Sequence, residues 1–329
     1  MGRRLRHELF RMVVSDLVGN HPNLHPDRLG HYAGLVRRST VEDPGWTAAL
    51  LRWTRHDAGL AYTAHAGAAE FVAARLAAGL HGTSRQVVDS VLAEPNDPTW
   101  LLNYWTYRHG RALPKPLKRG IGDAVRRLYT EESVRDHDFV FISLRFGDVL
   151  NRVHPKPVDE RQSALFRAIL DRRYDPKAPE CRPVPRPPAP VPLPRITGHT
   201  LLLVDLHAVE RYGFEETVEA VVRRCDRAEV VRFQGYGLPH DRRRRQLEVV
   251  RKRLRRHDRV LLVTEAQPLD GELSGAVPAY VPLHVWDLGE QDAEWASVSR
   301  HRYRHRGDPA GAPRALSLFE AGEQGLWPW

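Results

Sequence analysis

Between Arg108 and Lys156 the chain concentrates cations whose types and spacing suit phosphate. They run Arg108, His109, Arg111, Lys115, Lys118, Arg119, Arg126 and Arg127, then Arg145, Arg152, His154 and Lys156. The planar guanidinium fork donates two parallel hydrogen bonds to a phosphate, and lysine adds a point charge. On a helix, Lys115, Arg119 and Arg126, at separations of four and seven, share one face with Lys118 beside it. Asp123 is the only acid between Arg108 and Arg127. About four to six cations on one surface supply much of a salt-sensitive affinity for nucleic acid. Tyr107, Tyr129 and Phe146 lie among them and are candidates for stacking on exposed bases. The plainer alternative is a solvated helix face with its aromatics turned inward.

Other constellations are weaker. Asp241 to Arg245 and Arg251 to Arg256 flank an apolar stripe of Leu247, Val250 and Leu254. This reads as an amphipathic helix with a basic, solvated outside, or as a second surface for nucleic acid or an acidic partner. Asp205 ends the apolar run Leu201-Leu202-Leu203-Val204. A carboxylate at a strand end is where a doubly wound fold places its ligands, which singles out 205–209 and 264–267. None of the HExxH, GxSxG, P-loop or GxGxxG patterns is present, and no cluster of acids suggests a two-metal nuclease. The expectation is a binder and not an enzyme.

The elements that must position these residues fall into two grammars. Residues 175–195, DPKAPECRPVPRPPAPVPLPR, are too rich in proline to continue a helix or a central strand and read as an extended spacer. Before it, residues 1–174 read as helix after helix. Leu9, Met12, Val13 and Leu17 form a first stripe; Pro44 follows two acids and opens a helix with Trp46, Leu50 and Trp53 on its apolar face. Helices are likewise predicted over 61–76, after Ser84, after Asp97-Pro98, and over 116–129, 145–153 and 159–172. About nine short helices without strands between them suggest a stack of helix pairs. After the spacer, which is taken to extend through residue 197, residues 198–329 alternate. Strands are predicted over 200–205, 229–233, 259–264 and 281–287, with helices over 214–227 and 242–256, the pattern of a doubly wound parallel sheet. The fold class expected is α + α/β, in two domains. His301, His305 and the arginines of RHRYRHR read as polar, irregular chain.

With 329 residues, 42% hydrophobic and 28% charged, the chain is long enough for two cores and too apolar for global disorder. Its net charge of +9 favours acidic partners, nucleic acid among them. No run of 18 apolar residues predicts a membrane span and no apolar run near the start predicts a secretory signal, so a cytoplasmic location is expected. Cys181 and Cys225 fall in the spacer and on a predicted helix, with no pairing that suggests a disulfide framework or zinc motif.

Several segments in order carry a family resemblance. LLRWTRHDAGLAYTAHAGAAEFVAARL, LLNYWTYRHGRALPKPLKRGIGDAVRRLY and LRFGDVLNRVHPKP resemble consecutive parts of the TROVE family, which includes the Ro autoantigen and its bacterial relatives. DRVLLVTEAQP and the tail LSLFEAGEQGLWPW resemble later parts of the same family. The resemblance implies a HEAT-like helical domain before the Pro-rich linker and a von Willebrand factor A-like domain after it. It also implies binding of small noncoding RNA such as Y RNA and of misfolded or single-stranded RNA ends. The implied partners are that RNA and, tethered through it, an exoribonuclease. The RNA-binding positions would be Arg111, Lys115, Lys118, Arg119, Arg126, Arg127, Arg145, His154 and Lys156. Changing Lys118, Arg119, Arg126 and Arg127 to Ala is expected to weaken RNA binding and leave the melting temperature nearly unchanged.

Two departures accompany the resemblance. The family's further helices before the A-like domain are replaced by the spacer, which implies an open arc or closure by self-association. The A-like fold holds Mg²⁺ with an Asp-x-Ser-x-Ser turn, but here the turn reads Asp205-Leu206-His207-Ala208-Val209, and Glu265 stands where a later Asp is expected. Both hydroxyl positions are lost, so Asp205 is a degenerate metal position and no cofactor is expected.

Overall fold

A computed structural model describes residues 2–19, 26–138, 144–173, 194–233, 248, 251–265, 276–288, 301–306 and 309–329. The chain divides into two units. One comprises Met1–Val13, Pro22–Ala189 and Pro328–Trp329, the other Val14–His21 and Pro190–Trp327. The described residues are mostly helical, with one parallel sheet of five strands, which is an α + α/β organisation. Among them no helix is long and apolar enough to cross a membrane. The spacer at 175–193, with Cys181, and the basic run 241–245 lie outside the described residues.

Among the described residues, ten helices precede the sheet: α1 (Arg3–Gly19), α2 (Pro26–Glu42), α3 (Pro44–His56), α4 (Ala61–Ala77), α5 (Ser84–Ser90), α6 (Asp97–His109), α7 (Lys115–Leu128), α8 (Glu131–His137), α9 (Phe146–Val153) and α10 (Glu160–Arg173). The start of α3 shows how the sequence sets a boundary. Asp43 accepts the Trp46 N–H at 3.0 Å, and Pro44 occupies the first helical position, where no N–H is missed. Helix α4 is apolar around most of its circumference and is the buried centre against which α2, α3 and α6 pack. Gly67 makes that approach possible, because a Cβ there would stand 2.2 Å from Leu51 and 2.5 Å from the Tyr32 hydroxyl. Phe10, Trp46 and Trp53 meet Trp329, the last residue, with ring centroids 5.5–6.1 Å apart.

Two of the carboxylates buried in this unit, Glu70 and Asp97, are each fully engaged. Glu70 accepts from Arg37 Nε (2.5 Å) and the Tyr104 hydroxyl (2.9 Å), with His109 Nε2 at 3.2 Å. Asp97 accepts from Arg55 Nε and Nη2 (3.0 and 2.8 Å) and from the Ala93 and Glu94 N–H groups.

The α/β unit orders its strands β2-β1-β3-β4-β5, all parallel: β1 (Ile196–Asp205), β2 (Cys225–Phe233), β3 (Arg259–Thr264), β4 (Leu283–Asp287) and β5 (Arg302–Arg306). Strand β3 is buried throughout, which its unbroken apolar run anticipates. Three features differ from the sequence expectations. One helix is expected between β1 and β2, but Gly213, at φ 68°, ends α11 (Leu206–Tyr212) and α12 (Glu215–Arg224) follows. Cys225 opens β2 and does not lie on a helix. The segment read as irregular forms β5: Tyr303 and His305 point inward at alternate positions and pack on Phe319 of α13 (Ala312–Glu323). Arginines in that segment disguise the two-residue period. Of the expected helix over 242–256, residues 251–253 are helical and run into a 3-10 turn at Leu254–Arg256.

Candidate nucleic-acid interface

Helix α7 owes its orientation to one apolar stripe. Leu117, Gly120, Ile121, Ala124 and Val125 recur at helical spacing and are buried. Gly120 is required for the close approach to α5, since a Cβ there would stand 2.6 Å from Val88 and 2.7 Å from the Arg85 carbonyl. Burying this stripe turns Lys115, Lys118, Arg119 and Arg126 to the opposite side. Lys115 and Arg119 are exposed and Lys118 is half-buried, and none of the three has an ion pair among the described residues.

The loop after α9 adjoins the same side. A Cβ on Gly122 would meet Val153 and Pro155 at 3.6 Å, and the Lys156 carbonyl accepts from Arg126 at 3.5 Å. His154 ends α9 in the left-handed region (φ 52°, ψ 55°) with its side chain exposed, and Lys156 is exposed as well. Arg152 of α9 donates to the Arg111 carbonyl at 3.4 Å. Burial, and then the nearby Arg111 charge, lower the Arg152 guanidinium below its ordinary pKa, with Asp148 opposing them. Two neighbouring cations of this kind are relieved by an anion.

Other members of the predicted set are committed elsewhere. Arg126 and Arg85 share Asp123. Arg127 bonds Asp89 Oδ1 (2.9 Å) and the Leu92 carbonyl (3.0 Å) where α5 ends. Arg145 is largely buried; its Nη2 donates to the Asp138 carbonyl at 3.3 Å and its Nε lies 3.8 Å from the Asp138 carboxylate. Burial raises the Asp138 carboxyl above its ordinary pKa, and the Phe146 N–H, Arg145 and Arg172 oppose that rise. Arg145 therefore neutralises an internal acid.

The three aromatics separate in the same way. Tyr129 and Phe146 stack on each other with centroids 4.1 Å apart and are buried, so neither presents a face to a base. Tyr107 is 80% exposed and neighbours Arg108.

At the carboxyl ends of the strands, Asp205 caps α11. Its Oδ1 accepts the His207 N–H at 3.1 Å and its Oδ2 accepts the Thr264 hydroxyl at 3.1 Å. Val209 is buried, and Glu265 is held by Arg211 (2.8 Å) and the Tyr212 hydroxyl (3.1 Å). The carboxylate oxygens of Asp205 and Glu265 thus accept from protein donors. No family model, curated protein or solved structure matches the chain.

Proposed function

We propose that the helical unit binds small, structured noncoding RNA of the Y RNA kind, and single-stranded or misfolded RNA ends. It does so as a non-catalytic ribonucleoprotein component in RNA quality control. The observation that carries this reading is the exposed edge of α7. Lys115, Lys118 and Arg119 lack described acid partners and stand on the side joined by Arg126, His154 and Lys156. Arg111, just after α6, and Arg152 of α9 lie close together, and Tyr107 presents an exposed ring for stacking. The segment resemblance to the TROVE family points the same way. On this reading the helices form a HEAT-like arc, open or closed by self-association, and the α/β unit is a von Willebrand factor A-like module without a metal at Asp205. An exoribonuclease would join through the RNA, in the cytoplasm.

A protein-interaction scaffold that has lost RNA binding is favoured by one observation: Arg126, Arg127 and Arg145 are paired with acids or carbonyls of the same unit. Crosslinking and immunoprecipitation from the native cells, with sequencing of recovered RNA, separates the two. Enrichment of one or a few small structured RNAs is expected; recovery at background level supports the scaffold.

A further inference from the structure

The α/β unit holds a second group of chemistry-bearing side chains, at the end of β1 away from Asp205. Strand register brings it together. Leu201 of β1 pairs with Glu229 of β2, and His199 lies two residues before Leu201, on the same face of the sheet. Leu201, Leu203, Val231 and Phe233 belong to one apolar layer with Leu254 and Val260. His199 and Glu229 therefore sit at the margin of that layer. The 3-10 turn Leu254–Arg256, anchored in it by Leu254, delivers His257 to the same place. The two imidazole rings have centroids 4.0 Å apart. One nitrogen from each and a Glu229 oxygen all lie within 4.8 Å of one another.

Three details make this a ligand set and not a chance meeting of polar groups. The His257 side chain is 2% exposed, and its ring nitrogens are near the Arg253 backbone and Glu229 without full hydrogen-bond geometry to either. Its Nε2 stands 3.3 Å from Glu229 Oε2, which matches the edge of a tetrahedron built on bonds of about 2.0–2.1 Å to a zinc ion. Next, His199 Nδ1 lies 3.2 Å from the Arg256 carbonyl, which only accepts, so Nδ1 carries the proton and the Nε2 lone pair is left for a ligand. The Asp258 carboxylate takes the His199 backbone N–H at 2.7 Å and steadies that residue. Finally, Arg253 Nη1 holds Glu229 Oε1 at 2.7 Å, which orients the carboxylate and leaves Oε2 toward His257.

We propose that His199, Glu229 and His257 form a binding site for a divalent transition-metal ion of the zinc class, with a fourth position left for water or an external ligand. Two imidazoles and one carboxylate suit Zn²⁺ better than the oxygen-seeking Mg²⁺ or Ca²⁺. A bound ion ties β1, β2 and the entry to β3 together. The site is independent of RNA binding and of the Asp205 turn.

The test titrates the full chain, stripped with a chelator, with Zn²⁺ alone by calorimetry, and follows the melting temperature alongside. One equivalent is expected, with a rise in melting temperature on binding. Co²⁺ in place of Zn²⁺ is expected to give the visible absorption of a low-coordinate ion. His199→Gln and Glu229→Gln, both at positions short of full burial, should each weaken binding at least about tenfold, and His257→Gln about a hundredfold or more. The chain has 17 histidines, so weak surface binding is separated by these variants. Equal stoichiometry and affinity in His199→Gln, Glu229→Gln and the parent chain would overturn the site. So would the absence of binding to the folded parent chain at micromolar Zn²⁺. If His257→Gln fails to fold, the other two variants decide the matter.

Discussion

Arg127 closes the end of α5, bonding Asp89 Oδ1 at 2.9 Å and the Leu92 carbonyl at 3.0 Å from a helix 35 or more residues further along the chain. The charge of α7 is thus divided along its length: Lys115, Lys118 and Arg119 have no ion pair among the described residues, while Arg126 and Arg127 pair with Asp123 and Asp89. Replacing Lys115, Lys118 and Arg119 with Ala is expected to weaken RNA binding and to lower the slope of log K against log salt by about 2–3. The melting temperature should stay nearly unchanged. Arg127→Ala should instead cost about 1 kcal/mol of stability, because a helix-end carbonyl loses its donor. Filter binding across a salt series, together with thermal melts, checks both. Sequence alone treats Lys118, Arg119, Arg126 and Arg127 alike, and their partners in the fold are what distinguish them.

Tyr107 and Tyr129 should separate just as cleanly. Tyr107→Ala removes an exposed ring and is expected to reduce affinity for single-stranded RNA by about 1–3 kcal/mol without changing the melt. Tyr129→Ala empties the stack against Phe146 and should destabilise the fold by about 3–5 kcal/mol. Matched affinity and stability measurements on the two variants test the distinction. Loss of stability in Tyr107→Ala with no change in affinity would remove Tyr107 from the interface.

What the sequence made legible was whatever a local period carries. The α7 stripe from Leu117 to Val125 declares both the helix and its outward cations, and the buried run Val260–Val263 declares a central strand. The commitments of single cations were not legible. Arg127 meets Asp89 across 38 residues and Arg55 meets Asp97 across 42, and no local pattern encodes such a partner. Strand β5 was hidden because its inward residues include His305, a side chain ordinarily read as polar, while arginines adjoin it. The grouping of His199, Glu229 and His257 depends on the β1–β2 register and on one turn, so it emerges only once the sheet is assembled.

Asp97 ties α3 to α6 through Arg55 and lies 3.4 Å from His65 of α4. Burial alone would raise its pKa, but His65, Arg55 and the Glu94 N–H together hold it well below the usual carboxylate value. A carboxyl depressed in this way stabilises the fold above its unfolded pKa, and the contribution is lost as pH falls through the folded value. Asp97→Asn removes the charge and leaves Arg55 buried, which is expected to cost about 3 kcal/mol at pH 7. The lower end of the usual range applies because Glu94 lies 3.3 Å from the same guanidinium. Denaturant unfolding at pH 7 and pH 3 checks this: the variant's deficit should shrink at the lower pH. A deficit independent of pH would mean that packing, not charge, sets the cost.

His305 makes the α/β unit acid-sensitive in a different window. Its Nε2 lies 3.1 Å from His284 Nδ1, its ring packs on Trp286 and Phe319, and burial lowers its pKa to about 3. Above the unfolded imidazole value of about 6.5, both states are neutral and His305 contributes nothing to the pH dependence. Between that value and about 3 the unfolded chain holds a proton that the native chain does not. Stability therefore falls by about 1.4 kcal/mol for each unit of acidification in that interval. His305→Gln keeps a polar partner for His284 but does not titrate. Its stability should fall less steeply from pH 6.5 to pH 4, by on the order of 1 kcal/mol per unit, even where the variant is less stable at pH 7. Parallel denaturant titrations of the two chains across that range measure the difference in slope. Parallel curves would show that His305 takes up its proton in the native state as readily as in the unfolded chain.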